Sequence, residues 1–221
     1  MSKPIKVLYE DDYFVVFDKP AGLLVIPTPK KEKNTLVNIV NAQYSVSQND
    51  AKLHPCHRLD RDTSGVIIFA KGKRNQQLMR EEFQKLAVQK TYIAIIHGTL
   101  QKIQGEMRSP IRDLDQQKYH YQGVPRLAIT RYKVIEIRRG YSVLEVYPIT
   151  GRTNQIRIQL SEVGHPLLGE RKYAFARDYT LKFRRPALHA HRLRWQHPIN
   201  RKYIEVKSPL PEDMRFFLAT H

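Results

Sequence analysis

A carboxylate flanked by two arginines precedes an apolar run in the first half of the chain. The segment reads His57-Arg58-Leu59-Asp60-Arg61-Asp62-Thr63-Ser64-Gly65 and is followed by Val66–Ala70. Positive charge nearby keeps an aspartate ionised, and a turn at Asp62–Gly65 would fix the backbone before a buried strand. The segment predicts either a catalytic aspartate at Asp60 or an Asx turn with surface ion pairs, because structural ion pairs look the same.

A second segment that suits chemistry is Pro148-Ile149-Thr150-Gly151-Arg152-Thr153-Asn154-Gln155-Ile156-Arg157. It predicts a strand, a glycine turn and a helix over Thr153–Val163 that ends at Gly164. The N–H groups and the dipole at the start of such a helix favour an anion. Arg157 lies beside the apolar face of this helix and could border a site, although a solvent-exposed arginine is the commoner arrangement.

The third segment, Lys90-Thr91-Tyr92, opens a strand predicted over Thr91–His97. Alternation along a strand puts Tyr92 and Ile93 on opposite faces. The Tyr92 ring is therefore expected to be half-buried with its hydroxyl available for chemistry, and a plain core tyrosine is the alternative.

The charge of the chain indicates a polyanionic partner. Lys+Arg 38 against Asp+Glu 21 gives a formal net charge of +17. The segment Arg171–Lys202 contains ten Lys/Arg and one acidic residue, Asp178. Aromatic residues are interleaved with these charges, a combination that suits phosphates and unstacked bases together. They are Tyr173, Phe175, Tyr179, Phe183 and Trp195. The alternative is a generally basic, solvated surface whose aromatic residues belong to the core.

Several protein classes are disfavoured by composition. Cys56 is the only cysteine, so an internal disulfide is excluded, a reducing compartment fits and a structural zinc site is not expected. The N-terminus lacks the apolar stretch of a signal peptide, and no apolar run is long enough to span a bilayer. We expect a cytoplasmic protein without a membrane partner, and a monomer.

Strands dominate the predicted elements and do not alternate regularly with helices. This pattern predicts an α+β fold with a mixed or largely antiparallel sheet, in one domain covering residues 1–221. Ile129–Ile137 and Tyr141–Ile149 predict a hairpin. Residues 45–65 are predicted to form a long loop, and Ser109–Arg126 is predicted to be an irregular contact loop.

Taken together, the motifs resemble the RluA family of pseudouridine synthases from near Val7 to about Pro209. The matching pieces are Asp18-Lys19-Pro20-Ala21-Gly22-Leu23, His57 to Gly65, Lys90-Thr91-Tyr92, Ala128 with Thr130, Pro148 to Arg157, Gly169 with Tyr173, and Leu188-His189-Ala190 before His197-Pro198.

The resemblance implies an enzyme that converts uridine in tRNA or ribosomal RNA to pseudouridine without a metal or organic cofactor. The base would be flipped out of the RNA, detached, turned and rejoined through carbon. Asp60 matches the catalytic aspartate of the family, Tyr92 its active-site tyrosine, and Arg157 the arginine that pairs with the aspartate. The implied fold is a mixed sheet in two half-domains around a central active-site cleft.

The RNA-binding residues follow from the same resemblance and from the charge. Arg58 matches a residue associated with the flipped-out nucleotide, and Leu188 is assigned to the substrate pocket. The remaining predicted RNA contacts are Arg61, Arg152, Lys182, Arg184 and Arg185. The chain begins at the first strand of the matched region, so we expect the catalytic domain itself, rather than a small N-terminal RNA-binding module, to bind RNA.

Three residues depart from the family pattern. Asn154 and Gln159 stand where histidines are expected, and Glu170 stands where aspartate is usual after Gly169. One alternative is therefore a non-catalytic RNA-binding protein on the same scaffold. Another is a metal nuclease that uses His57, Asp60 and Asp62, although carboxylates flanked by arginines suit a divalent cation poorly.

Overall fold

The computed structural model describes residues 4–46, 52–112, 124–174 and 180–221. Within these ranges the chain forms ten strands and four helices. The strands are β1 (Val7–Glu10), β2 (Phe14–Lys19), β3 (Leu53–Pro55), β4 (Ser64–Lys71), β5 (Gln89–His97), β6 (Gln104–Ile111), β7 (Arg126–Arg138), β8 (Tyr141–Pro148), β9 (Leu188–Gln196) and β10 (Tyr203–Lys207). The helices are α1 (Leu36–Val46), α2 (Lys73–Gln84), α3 (Gln155–Glu162) and α4 (Glu212–Thr220).

The chain divides into two compact units. The first consists of Met1–Gln89 and Ala190–Glu212, and the second of Lys90–His189 and Asp213–His221.

Strands β2 and β4 form the centre of the first unit. They pair antiparallel to each other, β1 pairs with β2, β3 with β4, and β10 with β9. Nearly every side chain of β2 and β4 is buried, which explains why both read as continuous apolar runs rather than as alternating ones. Met79 of α2 packs in an apolar cluster on one face of this pair, and on the other face Phe17 of β2 contacts Tyr44 of α1.

The second unit is an antiparallel sheet in the order β5-β8-β7-β6. Its core contains Ala94, Ile96, Leu144 and Val146 from the sheet, and α3 covers them with Ile156 and Leu160. The regularly spaced apolar residues of α3 pack against the sheet, and this packing positions the helix that carries Arg157.

The elements agree largely with the sequence predictions. The α+β class and the largely antiparallel sheet are confirmed, as are the β7–β8 hairpin and helix α3. Gly164 has φ +81° and its N–H donates to the Ser161 carbonyl, so it terminates α3 as predicted.

Two predictions about loops were wrong. β3 lies inside the predicted loop 45–65, and β6 includes Ser109–Ile111, which was predicted to be irregular. β6 is a strand because it pairs with β7 along its whole length, a partner that local sequence does not reveal. Residues 113–123 of the predicted contact loop lie outside the described residues. In the part of the chain that the structure describes, no helix is long and apolar enough to cross a membrane.

Candidate active site

Asp60 lies on a turn of the first unit. Its carbonyl accepts a hydrogen bond from the Thr63 N–H at 3.1 Å, which closes the turn. Leu59 is buried, Asp60 is half-buried, and Arg58 and Arg61 are exposed. A buried neighbour thus fixes the backbone at Asp60, while both flanking arginines lie at the surface, where they could contact a ligand.

The buried ammonium group of Lys19 fixes the same turn by donating hydrogen bonds to its backbone carbonyls. It donates to the carbonyls of Pro20 at 2.9 Å, Arg61 at 2.9 Å and Thr63 at 2.8 Å. These three acceptors match the three donors of an ammonium group. Sequence reasoning matched Lys19 only as part of a motif; the available signal was a single lysine at the end of a strand that begins with four apolar residues.

Gly65, at the start of β4 directly after the turn, allows the backbone to pass very close to Ala190. Its φ is +114°, and a Cβ at this position would lie 2.1 Å from the carbonyl oxygen of Ala190. A side chain is therefore excluded on both conformational and steric grounds. His57, at the start of the turn, accepts a hydrogen bond at Nε2 from the Ile68 N–H at 3.1 Å and packs against Phe83.

Arg157 lies on α3 in the second unit, where Glu170 binds it in bidentate fashion. The Arg157 Nε–H donates to Glu170 Oε2 at 2.7 Å and Nη2 donates to Oε1 at 2.8 Å. The Glu170 side chain is fully buried and that of Arg157 is 12% exposed. Burial alone would raise the pKa of Glu170, but the guanidinium and the N–H groups of Lys172 and Tyr173 lower it below its ordinary value.

Asn154 gives Arg157 a further hydrogen bond. Its Oδ1 accepts from Nη1 of Arg157 at 2.9 Å, and its Nδ2 donates to the Tyr173 hydroxyl at 3.0 Å. The Arg157 guanidinium also lies over the Tyr173 ring, 5.3 Å from its centroid. Two of the three departures from the family pattern, Asn154 and Glu170, therefore both contact Arg157.

Gln159, the third departure, has a packing role. It is 1% exposed, and its Nε2 donates to the Ala128 carbonyl at 3.0 Å, with longer contacts to Met107 and Ser109. It joins α3 to β6 and β7. Gln155, which sequence reasoning did not single out, joins the start of α3 to Thr130 and Thr150.

Tyr92 and Leu188 pack in the same apolar cluster of the second unit. Leu188 is 3% exposed, whereas Tyr92 is partly buried at the border of the cluster. The half-buried ring predicted for Tyr92 is therefore observed. Its chemical role and the pocket role of Leu188 stay predictions.

The predicted RNA-binding residues have different surroundings. Lys182 and Arg184 are exposed, as Arg58 and Arg61 are, and Arg152 is half-buried. Their exposure is compatible with phosphate contacts, which stay predictions.

The structure corrects the assignment of Arg185 to the RNA-binding surface. Arg185 is 9% exposed and binds Asp213 with Nε at 2.7 Å and Nη2 at 3.0 Å. Its Nη1 donates to the carbonyls of Pro186 and Leu188. Because its guanidinium is committed to these partners inside the second unit, Arg185 is a structural residue.

A metal site receives no support from the geometry. Among residues 4–46, 52–112, 124–174 and 180–221, no three His, Cys, Asp or Glu side chains gather as a metal-binding group. The nuclease interpretation, which required His57, Asp60 and Asp62 to bind a cation together, therefore has no site in this part of the chain.

Comparison with known proteins gives consistent matches. A family model described as RNA pseudouridylate synthase matches residues 13–162. The chain is 33% identical to the uncharacterised RNA pseudouridine synthase YhcT of Bacillus subtilis, over 98% of this chain and 72% of that protein. It is 34% identical to ribosomal large subunit pseudouridine synthase D of Xanthomonas campestris, over 98% of this chain and 69% of that protein.

A solved structure has the same fold. Human RNA pseudouridylate synthase domain containing 4 aligns with a TM-score of 0.81 and 24% identity, over 96% of this chain and 91% of that chain.

Proposed function

The chain belongs to the RNA pseudouridylate synthase family, and we propose that it isomerises particular uridines of a structured RNA with Asp60 as the catalytic aspartate. The observation that carries the proposal is the turn at Asp60. Its backbone is fixed by the contacts of Lys19 to the carbonyls of Arg61 and Thr63, and its carboxylate stands between two exposed arginines in the sequence. A rigid support of this kind is what a group that must meet a reacting atom requires.

The reaction exchanges one bond of the nucleoside for another. The bond from C1′ of the ribose to N1 of uracil breaks, and a bond from C1′ to C5 forms. The proton on C5 leaves and N1 takes up a proton, so the product is an isomer of the substrate. Neither an oxidant nor a metal is needed for this balance.

Asp60 is proposed to act on the ribose carbon, either as a nucleophile or by stabilising the positive charge that develops there. Tyr92 is proposed to stack on the uracil and to assist removal of the C5 proton. Because a uridine in a helix is unreachable, the base must first be extruded from its stack, which costs a few kcal/mol. Arg58 is proposed to contact the extruded nucleotide.

Arg157 is proposed to act in the same reaction as Asp60. Its guanidinium would keep the carboxylate of Asp60 ionised and correctly oriented. Glu170 and Asn154 fix its guanidinium through three hydrogen bonds. A cation fixed in this way supplies a constant field to the reacting carboxylate without reorganising.

The proposed substrate is transfer RNA or ribosomal RNA. The net charge of +17 favours a polyanion, and one of the relatives is named for the large ribosomal subunit. Lys182 and Arg184, both exposed, are proposed to contact its phosphates.

Release of tritium from RNA that contains 5-tritiated uridine tests the proposal. The wild type should release tritium, and Asp60→Asn should release none while it keeps its fold and RNA affinity, because the amide has the shape of the carboxylate without its charge. Asp62→Asn is the matched control, since it changes the other carboxylate of the same turn and should keep turnover within a few-fold of wild type.

Other outcomes would assign the protein differently. RNA binding without tritium release by the wild type would support the non-catalytic interpretation. RNA cleavage that EDTA abolishes would support a nuclease. Turnover by Asp60→Asn beyond the level explained by deamidation would remove Asp60 from the reaction.

A further inference from the structure

Lys90 stands at the start of β5 with its ammonium group against the turn that precedes α3. Its Nζ donates to the Thr150 carbonyl over a long 3.4 Å. A Cβ built on Gly151 would lie 3.9 Å from the same nitrogen. An ammonium group has three donors, and no other acceptor contacts it within the ranges that the structure describes.

A second cation belongs to the same turn. Arg152 is half-buried, and its Nε is buried without a hydrogen-bond partner. Neither Lys90 nor Arg152 forms an ion pair with any carboxylate of the described residues. A desolvated cation without a counter-charge is costly, so Lys90, with Arg152 in the turn that it contacts, is suited to an anion from outside the chain.

The turn is built to keep these two groups in place. The Thr150 hydroxyl donates to Gln155 Oε1 at 2.7 Å and accepts from the Ile129 N–H at 2.9 Å. Gln155 Oε1 also accepts from the Arg152 N–H at 2.9 Å. Since the backbone from Thr150 to Gln155 is tied to β7, an anion would bind with little rearrangement of the protein.

Binding of such an anion would change the pKa of Lys90. Burial lowers the pKa of Lys90 to about 8. The titratable residue on the same face of β5 is Tyr92, and Arg152 belongs to the turn that the Lys90 ammonium group contacts. A bound anion would oppose the effect of burial and raise the pKa of Lys90.

We propose that Lys90 and Arg152 form a binding site for one phosphodiester group of the RNA substrate, next to the nucleotide that Tyr92 contacts. Residues two apart on a strand point to the same face about 7 Å from each other, which puts the phosphate site beside the tyrosine. An arginine fork and an ammonium group are the usual partners of a phosphate oxygen. The identity of the anion rests on the proposed function, since it assumes an RNA substrate.

The experiment measures binding of unmodified substrate RNA, separately from turnover, as a function of pH and salt. For a lysine that titrates at about 8 without RNA and stays protonated with it, wild-type affinity should fall about tenfold between about pH 7 and about pH 9. Lys90→Arg should retain most of the affinity at about pH 7 and lose this extra pH dependence, because arginine does not titrate there.

Lys90→Met removes the charge and keeps the length of the stem. It should bind more weakly at about pH 7, lack the pH dependence, and lower the slope of log affinity against log salt by about 0.7–0.9. Lys102→Met is the matched control, because Lys102 is exposed and lies outside the site. RNA with one uncharged methylphosphonate linkage beside the target uridine should weaken binding by the wild type more than binding by Lys90→Met, in which only Arg152 is left to contact that phosphate.

Wild-type affinity with the same pH dependence as Lys90→Arg would overturn the phosphate site, as would normal salt dependence in Lys90→Met. Such a result with normal tritium release would leave the proposed function intact. Conversely, the expected binding results without tritium release would retain the phosphate site and remove the enzyme assignment. Lys90→Arg keeps the charge at this position, so comparing its pH profile with that of the wild type decides the question even if Lys90→Met does not fold.

Discussion

Replacing Glu170 with glutamine changes one buried atom at the centre of the Arg157 arrangement. Oε1 of Glu170 accepts from Nη2 of Arg157 at 2.8 Å and from the Lys172 N–H at 2.9 Å, so the amide oxygen of glutamine would take this position. The amide nitrogen would then stand where Oε2 now accepts from Nε of Arg157 at 2.7 Å. Two donors would face each other, and the guanidinium would lose its counter-charge.

The size of the effect follows from burial. The Glu170 side chain is fully buried and that of Arg157 is 12% exposed, so water screens the pair poorly. Removing one partner of a buried pair costs about 3–5 kcal/mol, because the other charge is left without compensation. We expect the free energy of unfolding of Glu170→Gln to be lower by about 3 kcal/mol at neutral pH, the low end of that range, since Asn154 and part of the hydrogen bonding remain.

The pH dependence has a definite direction. The folded state holds the pKa of Glu170 below its ordinary value, so this carboxylate contributes stability at every pH above its unfolded pKa. That contribution is lost as the pH falls through the lower, folded pKa. The difference between wild type and Glu170→Gln should therefore be complete at neutral pH and shrink below about pH 4.3, where half of the unfolded carboxyl groups are protonated.

Urea unfolding at several pH values measures this difference, and tritium release measures its effect on the reaction. We expect a fall in kcat with little change in KM, because the loosened group is proposed to act in the reaction rather than in RNA binding. Glu170→Asp, which keeps the charge, should restore part of both losses. Glu162→Gln, at an exposed position of α3, is the matched control. A Glu170→Gln protein as stable and as active as the wild type would refute the importance of the pair.

Three further predictions concern residues assigned to chemistry and to RNA. Tyr92→Phe keeps a ring for stacking and loses the phenol, so RNA affinity should stay within a few-fold of wild type while single-turnover chemistry slows; equal rates would leave Tyr92 a packing role. Arg157→Ala should slow turnover strongly, and the double variant with Asp60→Asn should be as inactive as Asp60→Asn alone; turnover unchanged by Arg157→Ala would place this residue outside the reaction. Lys182→Gln with Arg184→Gln should lower the salt slope of RNA affinity by about 1.5, at roughly 0.7–0.9 per phosphate, and an unchanged slope would show that neither touches the backbone.

Local signals predicted much of the fold and the identity of the candidate residues. The apolar spacing of α3 and the glycine after it are contained in one short segment, and Gly164 ends the helix as predicted. β6 was missed because its strand character comes from pairing with β7 rather than from its own polar sequence.

Contacts between distant segments could not be predicted in the same way. Lys19 reaches carbonyls 42 and 44 residues further along the chain, and nothing in its local sequence indicates those acceptors. Arg185 was assigned to RNA from the charge of its segment, whereas Asp213, which binds it, is 28 residues away. The net charge of a protein predicts what kind of partner it binds. It does not predict whether a particular arginine contacts that partner or a carboxylate of the protein itself, because this depends on the fold.

The departures at Asn154 and Glu170 bear on whether the scaffold is catalytic. If they marked lost activity, the changed residues should leave the guanidinium of Arg157 without support. Instead Asn154 accepts a hydrogen bond from it at 2.9 Å, and Glu170 binds it through both carboxylate oxygens. Asn154 also adopts φ +55°, a left-handed conformation that asparagine tolerates better than most residues. Because both altered positions contact the same guanidinium and each supplies it with an acceptor, the departures act as a matched pair that keeps the guanidinium of Arg157 oriented, which is what the proposed reaction requires of it.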